Sequence, residues 1–248
     1  MKAVNWYPQS MSAVEALHFS DWEKCLALEG ELISESLTSS LRRVRVDGKH
    51  YYVKVYDLAG RHLRRFLGRS RIRAEWENLA YFQSHGVPTA RLVAYGEERY
   101  PGLYRKGLMI TEEIEAARDL VTLLQDENSP FQDRRWRKEV IRKLAAYVAI
   151  LHGQHFIHGD LKWRNILVNP GAEPEVYLID CPLGRQLPGW FCERGIIKDL
   201  ACLDKVAKYQ LSHRERLSFY HLYTGKMSLD VADKRRISKI LRFFTGRE

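Results

Sequence analysis

The 248-residue chain has only four cysteines, Cys25, Cys181, Cys192 and Cys202, and none sits in a C-x-x-C pair. That pattern argues against a disulfide framework and against a structural zinc site; reduced thiols are expected. No apolar run approaches the roughly 20 residues that cross a bilayer. The longest, Leu144 to Ile157, is broken by His152, Gly153, Gln154 and His155. The opening MKAVNWYPQS holds a single Lys and no apolar core, so no secretory signal is expected and a cytoplasmic location follows. Internal repeats and low-complexity linkers are also missing. His152, His155 and His158 are spaced by three, but the helical pattern ends at Gly153, so a metal site on them is not expected.

What is present in excess is positive charge. The formal net charge is +9, which implies an anionic partner. It is concentrated in two places. RHLRRFLGRSRIR, residues 61–73, carries six arginines and no acid, and DKRRISKILRFFTGR forms a second cluster near the end. Ordinary apolar content and abundant aromatics point to a folded globular chain.

Along the chain, a helix is expected near Ser20 to Leu28. LRRVRVDGKHYYVKVY reads as a hairpin around the turn pair Asp47-Gly48. RAEWENLAYFQSHG reads as a helix with Trp76, Leu79, Ala80 and Phe82 near one side and Gly86 as its stop. TARLVAYGE and KGLMITEEI are strand candidates. After Glu113 the pattern changes: ARDLVTLLQ is a short helix and RRWRKEVIRKLAAYVAILHG a long one. FIH, NILVN and EVYLID are short apolar runs between polar turns, and the tail from Ile197 is helical in pattern. This order predicts an α+β chain of two lobes, residues 1–113 rich in strands and 114–248 mostly helical, together one domain.

Five residues then draw attention together. Lys54 lies in the strand YYVKVY and Glu75 in the following helix. Asp160 and Asn165 share the loop HFIHGDLKWRNILV, and Asp180 ends the strand VYLID. Each alone has an ordinary structural reading: an edge lysine, a surface glutamate, a turn aspartate. In this order and spacing they resemble the protein-kinase-like superfamily, with His158, Asp160 and Asn165 matching H-x-D-x-x-x-x-N. The resemblance implies a two-lobed kinase fold and ATP and Mg²⁺ as cofactors. It implies that Lys54 holds phosphates and pairs with Glu75, and that Asp160 is the base. Lys162 would neutralise the transferring phosphate, and Asn165 and Asp180 would bind the metal. His158 would brace the loop, and Glu112, Glu113 and Ile114 would offer backbone groups to adenine.

The departures narrow the substrate. No G-x-G-x-x-G precedes Lys54; SESLTSSLRRV stands there instead, and Thr38, Ser39 and Ser40 would cover phosphates through amides and hydroxyls. His158-Gly159-Asp160 lacks the arginine that answers a phosphorylated activation loop. Asp180-Cys181-Pro182 replaces Asp-Phe-Gly, with Pro182 stiffening the chain, and no Ala-Pro-Glu follows before the helix expected to start at Lys198. YYVKVY, RHLRRFLGRSRIRAEWENL, GVPTARLVAYG, HGDLKWRNILV, VYLIDCPLGR and IIKDLACL resemble the bacterial lipopolysaccharide core kinases of the Kdo/WaaP type over roughly Leu41 to Lys205.

That resemblance implies phosphorylation of a heptose or Kdo hydroxyl of the lipopolysaccharide inner core. The enzyme would be peripheral on the cytoplasmic face of the inner membrane. The charge fits a lipid-linked acceptor on an anionic leaflet, where each Lys or Arg contributes roughly 1 kcal/mol. Arg61, Arg64, Arg65, Arg69, Arg71 and Arg73 are expected to meet acceptor or membrane; the plainer reading is a solvated loop. The C-terminal segment could touch the membrane through Ile237, Ile240, Leu241, Phe243 and Phe244; the plainer reading is a helix packed on its own lobe. No nucleic acid and no stable protein partner is expected. Alternatives are another kinase of the superfamily, on a small molecule or protein, and a scaffold that kept the fold without catalysis.

Overall fold

Asp47 and Gly48 both hold positive φ, 49° and 79°, as the tightest hairpin turn requires. They join two strands of a six-stranded antiparallel sheet. In a computed structural model that describes residues 3–57, 69–100 and 103–246, the sheet takes six segments. These are β1 (Ala3–Pro8), β2 (Glu31–Glu35), β3 (Ser39–Val46), β4 (Lys49–Tyr56), β5 (Leu92–Tyr100) and β6 (Leu103–Glu112). Their order is β1-β5-β6-β4-β3-β2.

Side chains alternate across β4. Tyr51 and Val53 face two short helices, α1 (Ala13–Phe19) and α2 (Trp22–Leu26), and bury against Phe19, Trp22 and Cys25. The Phe19 and Tyr51 rings lie 4.9 Å apart. Fully burying such side chains contributes roughly 1.5–3 kcal/mol each. The opposite face meets α3 (Arg71–Ser84), which buries Ile72, Trp76 and Leu79. Gly107 on β6 permits that approach, because a Cβ there would lie 2.2 Å from Ile72 Cγ2.

The remaining elements are mostly helical. They are β7 (Arg118–Asp119), α4 (Leu120–Gln125), α5 (Arg134–Gly153), β8 (Phe156–Ile157), β9 (Ile166–Val168), β10 (Val176–Leu178) and β11 (Arg185–Gln186). Three helices follow: α6 (Gly189–Gln210), α7 (His213–Thr224) and α8 (Val231–Arg242). Helix α5 is capped by Asp133, which accepts from the Arg135 amide at 2.7 Å. It buries Val140, Leu144, Val148 and Leu151 on one stripe. Strands β10-β9-β7 form one small sheet and β11-β8 another. All four cysteines are buried, and none forms a disulfide among the described residues.

The chain divides into two units: residues 1–81 with 90–114, and residues 82–89 with 115–248. The expected boundary at 113/114 therefore needs one correction. Phe82–Thr89 belong with the second unit, because Phe82 packs edge-on against Phe156 at 5.6 Å and Leu178 bonds to Pro88 and Thr89. Two further differences stand out. β1 and α1 were not legible. Helix α6 begins at Gly189 rather than Lys198, so the stretch after Asp180 is shorter still. On α8 the plainer reading holds for part of the apolar face: Ile240 is buried, and Ile237, Ile240 and Leu241 line an apolar cavity of about 390 Å³ within the second unit, with Leu144, Leu203 and Tyr220, while Leu241 also stays half exposed.

Replacing Gly107 with Ala should push α3 from the sheet. The expected loss is about 1–3 kcal/mol, read as a lower urea midpoint. An unchanged midpoint would mean that α3 does not need this close approach.

Candidate active site

The strand alternation that sends Tyr51 and Val53 to one face sends Lys54 and Tyr56 to the other, toward α3. There Lys54 Nζ lies 2.6 Å from Glu75 Oε1, with Glu75 almost fully buried. The Tyr56 hydroxyl donates to Glu75 Oε2 at 3.4 Å. A carboxylate this deep must be paired; removing its partner costs about 3–5 kcal/mol. The two residues expected to pair are thus held together within the first unit.

The end of β6 is tied down by its acids. Glu113 accepts from Arg43 and from the Tyr52 hydroxyl, each at 2.9 Å. Glu112 accepts from Lys49 at 2.8 Å and from Arg91 at 2.6 Å, and Arg91 also bonds Glu15. The amides of Glu112 and Glu113 donate to Arg91 O and His50 O. Both side chains and both amides of this expected adenine segment are therefore engaged in the sheet. The amide of Ile114 takes no part in those bonds.

The turn between β2 and β3, where a glycine-rich loop was missing, is built on Ser36. Its Oγ accepts from the amides of Thr38 and Ser39 at 3.3 and 3.1 Å and lies 3.0 Å from Ser39 Oγ. Those two amides, expected to cover phosphates, are thus committed to Ser36. Ser40 enters the sheet opposite Val55 and Glu35. Of the arginine segment, Arg61, Arg64 and Arg65 lie outside the described residues. Arg69 and Arg73 both pair with Glu77, at 2.6 and 2.7 Å, and Arg71 lies 5.8 Å from the centre of the Tyr56 ring.

In the second unit the loop after β8 gathers the expected catalytic group. Gly159 holds φ of +82°, and a Cβ there would lie 3.0 Å from Leu183 Cβ. Glycine therefore stands where protein kinases carry arginine for a backbone reason as well. Lys162 Nζ sits 2.6 Å from Asp160 Oδ1. Asn165 Nδ2 donates to Asp160 O at 2.8 Å and approaches Asp160 Oδ2 at 3.3 Å. The Ile179 amide donates to Asn165 O at 3.0 Å, which draws Asp180 alongside that loop. Asp180 has φ of 54°, an uncommon backbone for a non-glycine residue. Cys181 is buried and its thiol reaches His158 O at 3.5 Å.

One residue carries the loop and was not singled out in the sequence. Asp199 on α6 is wholly buried and accepts from the amides of His158 and Gly159 at 2.7 and 2.9 Å. Its neighbour Lys198 donates to Gly159 O at 2.7 Å. His152 approaches Asp199 at 3.5 Å and lies 3.0 Å from the Tyr223 hydroxyl. The signal was available: an acid inside the apolar run GIIKDLACL can be buried only if it is paired. His158 stacks on Phe82 at 5.9 Å. Burial pushes its imidazole below the usual histidine value, against the pull of Asp199, Asp180 and Asp160. Its ring is packed inside the fold beneath the loop.

Among the described residues no group of three His, Cys, Asp or Glu could hold a metal. Asn165 and Asp180 instead offer an amide and a carboxylate oxygen, the hard donors that Mg²⁺ prefers. The bonds from Asn165 Nδ2 to Asp160 leave its Oδ1 turned away from that residue.

Asp199→Ala should leave two buried amides without an acceptor, at about 1–3 kcal/mol each. The check is the urea midpoint, which should fall with an unchanged slope; an unmoved midpoint would mean the amides find another acceptor. A second expectation concerns acid. Burial works against ionisation of Glu15, Glu112 and Glu113, but their hydrogen bonds to Arg91, Lys49, Arg43, Tyr51, Tyr52 and the Ser12 amide outweigh it. All three lie below the ordinary 4.5. Depressed carboxyls stabilise the fold fully above that value and lose the contribution as pH falls through their folded values. Thermal midpoints should therefore drop below pH 4.5, and Glu113→Gln should flatten the drop.

Comparison with known proteins agrees with this geometry. The profile of the lipopolysaccharide kinase (Kdo/WaaP) family matches residues 23–223. The lipopolysaccharide core heptose(I) kinase WaaP of Pseudomonas aeruginosa is 27% identical over 213 residues, 82% of this chain and 80% of that protein. A 3-deoxy-D-manno-octulosonic acid kinase of Actinobacillus succinogenes is 32% identical over 165 residues, 63% of this chain and 65% of that protein. A solved structure of WaaP in complex with acyl carrier protein superposes with a TM-score of 0.75 at 23% identity, covering 98% of this chain and 97% of that one. That likeness establishes a kinase-like fold. A family match reaching from α2 into α7, across the Lys54–Glu75 pair and the whole catalytic loop, makes the chain a member of the lipopolysaccharide kinase (Kdo/WaaP) family.

Proposed function

We propose that the chain is an ATP- and Mg²⁺-dependent kinase that phosphorylates a hydroxyl of heptose or Kdo in the lipopolysaccharide inner core. The observation that carries this reading is the catalytic loop. One turn holds a carboxylate, an ammonium 2.6 Å from it and an amide bonded to the same aspartate. Phosphoryl transfer needs positioning and charge neutralisation more than covalent chemistry, and this turn supplies both.

Asp160 would accept the proton of the acceptor hydroxyl. Lys162, beside it, would neutralise the transferring group. Lys54, oriented by Glu75, would hold nucleotide phosphates. Asn165 and Asp180 would hold Mg²⁺, which neutralises phosphate charge when bound. Adenine would meet Glu112 to Ile114 through main-chain groups, since both glutamate side chains serve the sheet. Ser39 and Ser40 would cover phosphates through hydroxyls, since Ser36 occupies the turn amides. Arg71 and the other arginines from Arg61 to Arg73 would meet acceptor or membrane.

Among the described residues no helix is long and apolar enough to cross a membrane. A lipid-borne acceptor then implies a peripheral enzyme on the cytoplasmic face of the inner membrane. A structural neighbour was solved with acyl carrier protein; mass spectrometry of the purified chain tests whether it too carries a partner.

The test is transfer from labelled ATP to dephosphorylated core lipopolysaccharide. Asp160→Ala should reduce transfer by about 10²–10⁴-fold, the usual weight of a positioned base, with ATP binding kept. Mapping the labelled sugar separates heptose from Kdo. ATP binding without transfer would point to another acceptor, and neither binding nor transfer would sink the enzyme reading.

A further inference from the structure

The carboxylates of α6 and α8 are all committed. Arg236 donates to Glu193 through two nitrogens, each at 2.8 Å. Asp199 lies under the catalytic loop. Asp204 is held twice by Arg216 at 2.7 Å, and Asp233 by Lys226 at 2.8 Å. The cations of the same helices are treated differently. Arg194, Lys239 and Arg242 make no ion pair among the described residues. They line one shallow groove of about 360 Å³ with Ser238, Ile197 and Phe243.

One turn ahead of Arg194, on the same face of α6, two large aromatics stand in water. Trp190 and Phe191 are 63% and 51% exposed, and their rings stack on each other 4.0 Å apart. Single exposed apolar residues are common, but a contiguous aromatic pair beside unpaired cations marks an interaction surface. Its frame is rigid. Arg185 pairs with Ile157 in the β11–β8 ladder, and the Leu187 amide donates to His155 O at 3.0 Å. The patch is thus anchored to the segment that carries Asp160.

We propose that this surface docks on an anionic phospholipid bilayer. Trp190 and Phe191 enter the boundary between headgroups and acyl chains, and the groove of Arg194, Lys239 and Arg242 takes lipid phosphates. Aromatic rings at the interface flanked by Lys and Arg are the pattern such contacts use. A polynucleotide fits less well. The two rings stack on each other instead of offering open faces to bases, and the groove floor is apolar. For its purpose the inference rests on a lipid-borne acceptor; the binding itself needs no catalysis.

The experiment is sedimentation of the full chain with vesicles of phosphatidylcholine, with and without phosphatidylglycerol. Binding should need the anionic lipid and weaken with salt. The triple variant Arg194→Ala, Lys239→Ala, Arg242→Ala should lose roughly 100-fold in affinity. Brominated acyl chains should quench wild-type tryptophan fluorescence, and Trp190→Phe should lose that quenching. The triple variant should phosphorylate a water-soluble, deacylated core oligosaccharide as wild type does, yet slow on vesicle-borne acceptor. Equal binding to neutral vesicles, full affinity in the triple variant, or binding to single-stranded RNA but not to vesicles would each overturn the proposal. Vesicle binding without any kinase activity would instead sink the catalytic reading and leave the surface standing.

Discussion

The buried carboxylate of Asp199 is the constraint on which the second unit turns. A charge removed from water in this way is tolerable only when its lone pairs are filled, and the fillers are the amides of His158 and Gly159. That requirement fixes the backbone just ahead of Asp160. Gly159 must take a left-handed conformation, which residues with a Cβ avoid. Lys198 closes the same loop from the other side by donating to Gly159 O. Helix α6 therefore sets the loop's posture through two consecutive residues of opposite charge. Asp160 inherits its position from a helix some forty residues further along the chain.

The stretch after Asp180 shows what such a frame does to regulation. Cys181 and Pro182 are buried. Leu183 abuts Gly159, and Arg185–Gln186 pair with β8. Helix α6 starts at Gly189. The segment between Asp180 and the next helix is thus pinned at several points and has little freedom to rearrange. Kinases that switch by moving this stretch need slack that is missing here, in keeping with the absence of an arginine before Asp160. Specificity in such a site has to come from fixed surfaces.

Legibility in the sequence followed the kind of physics involved. The Asp47-Gly48 hairpin, helix α5 and the pair β9 and β10 were readable, because turn chemistry and apolar periodicity are local. Lys54, Glu75, Asp160, Lys162, Asn165 and Asp180 could be picked out as a spaced set, and the fold brings them into two local groups. Strand β1 was not legible, since it exists only by pairing with β5, and its side chains are mostly exposed. Helix α1 spans seven residues, too few for periodicity to register, although Ser12 and Glu15 form a capping box. Phe82–Thr89 looked like part of the first lobe because chain order says nothing about which unit buries Phe82. The C-terminal helix was amphipathic as read, but pattern alone does not say whether an apolar stripe faces lipid or a neighbouring helix. Here Ile237 and Ile240 face inward.

The net charge of +9 gains meaning once the pairs are drawn. In the first unit Glu15, Glu112 and Glu113 are bound to Arg91, Lys49 and Arg43, so these cations serve the fold. On α6 and α8 the acids are likewise engaged, and the surplus cations remain at the surface. Exposed ion pairs contribute little to stability, so leaving Arg194, Lys239 and Arg242 without an ion pair among the described residues costs the fold almost nothing. It does create a field. Cations gathered around one groove, with no paired carboxylate among the described residues, act on an anionic surface together, and that action weakens as salt rises. The same composition therefore does two kinds of work. Buried carboxylates fix the loop of Asp160 and the position of Lys54, and cations without an ion pair among the described residues are left where an extended anionic partner can reach them.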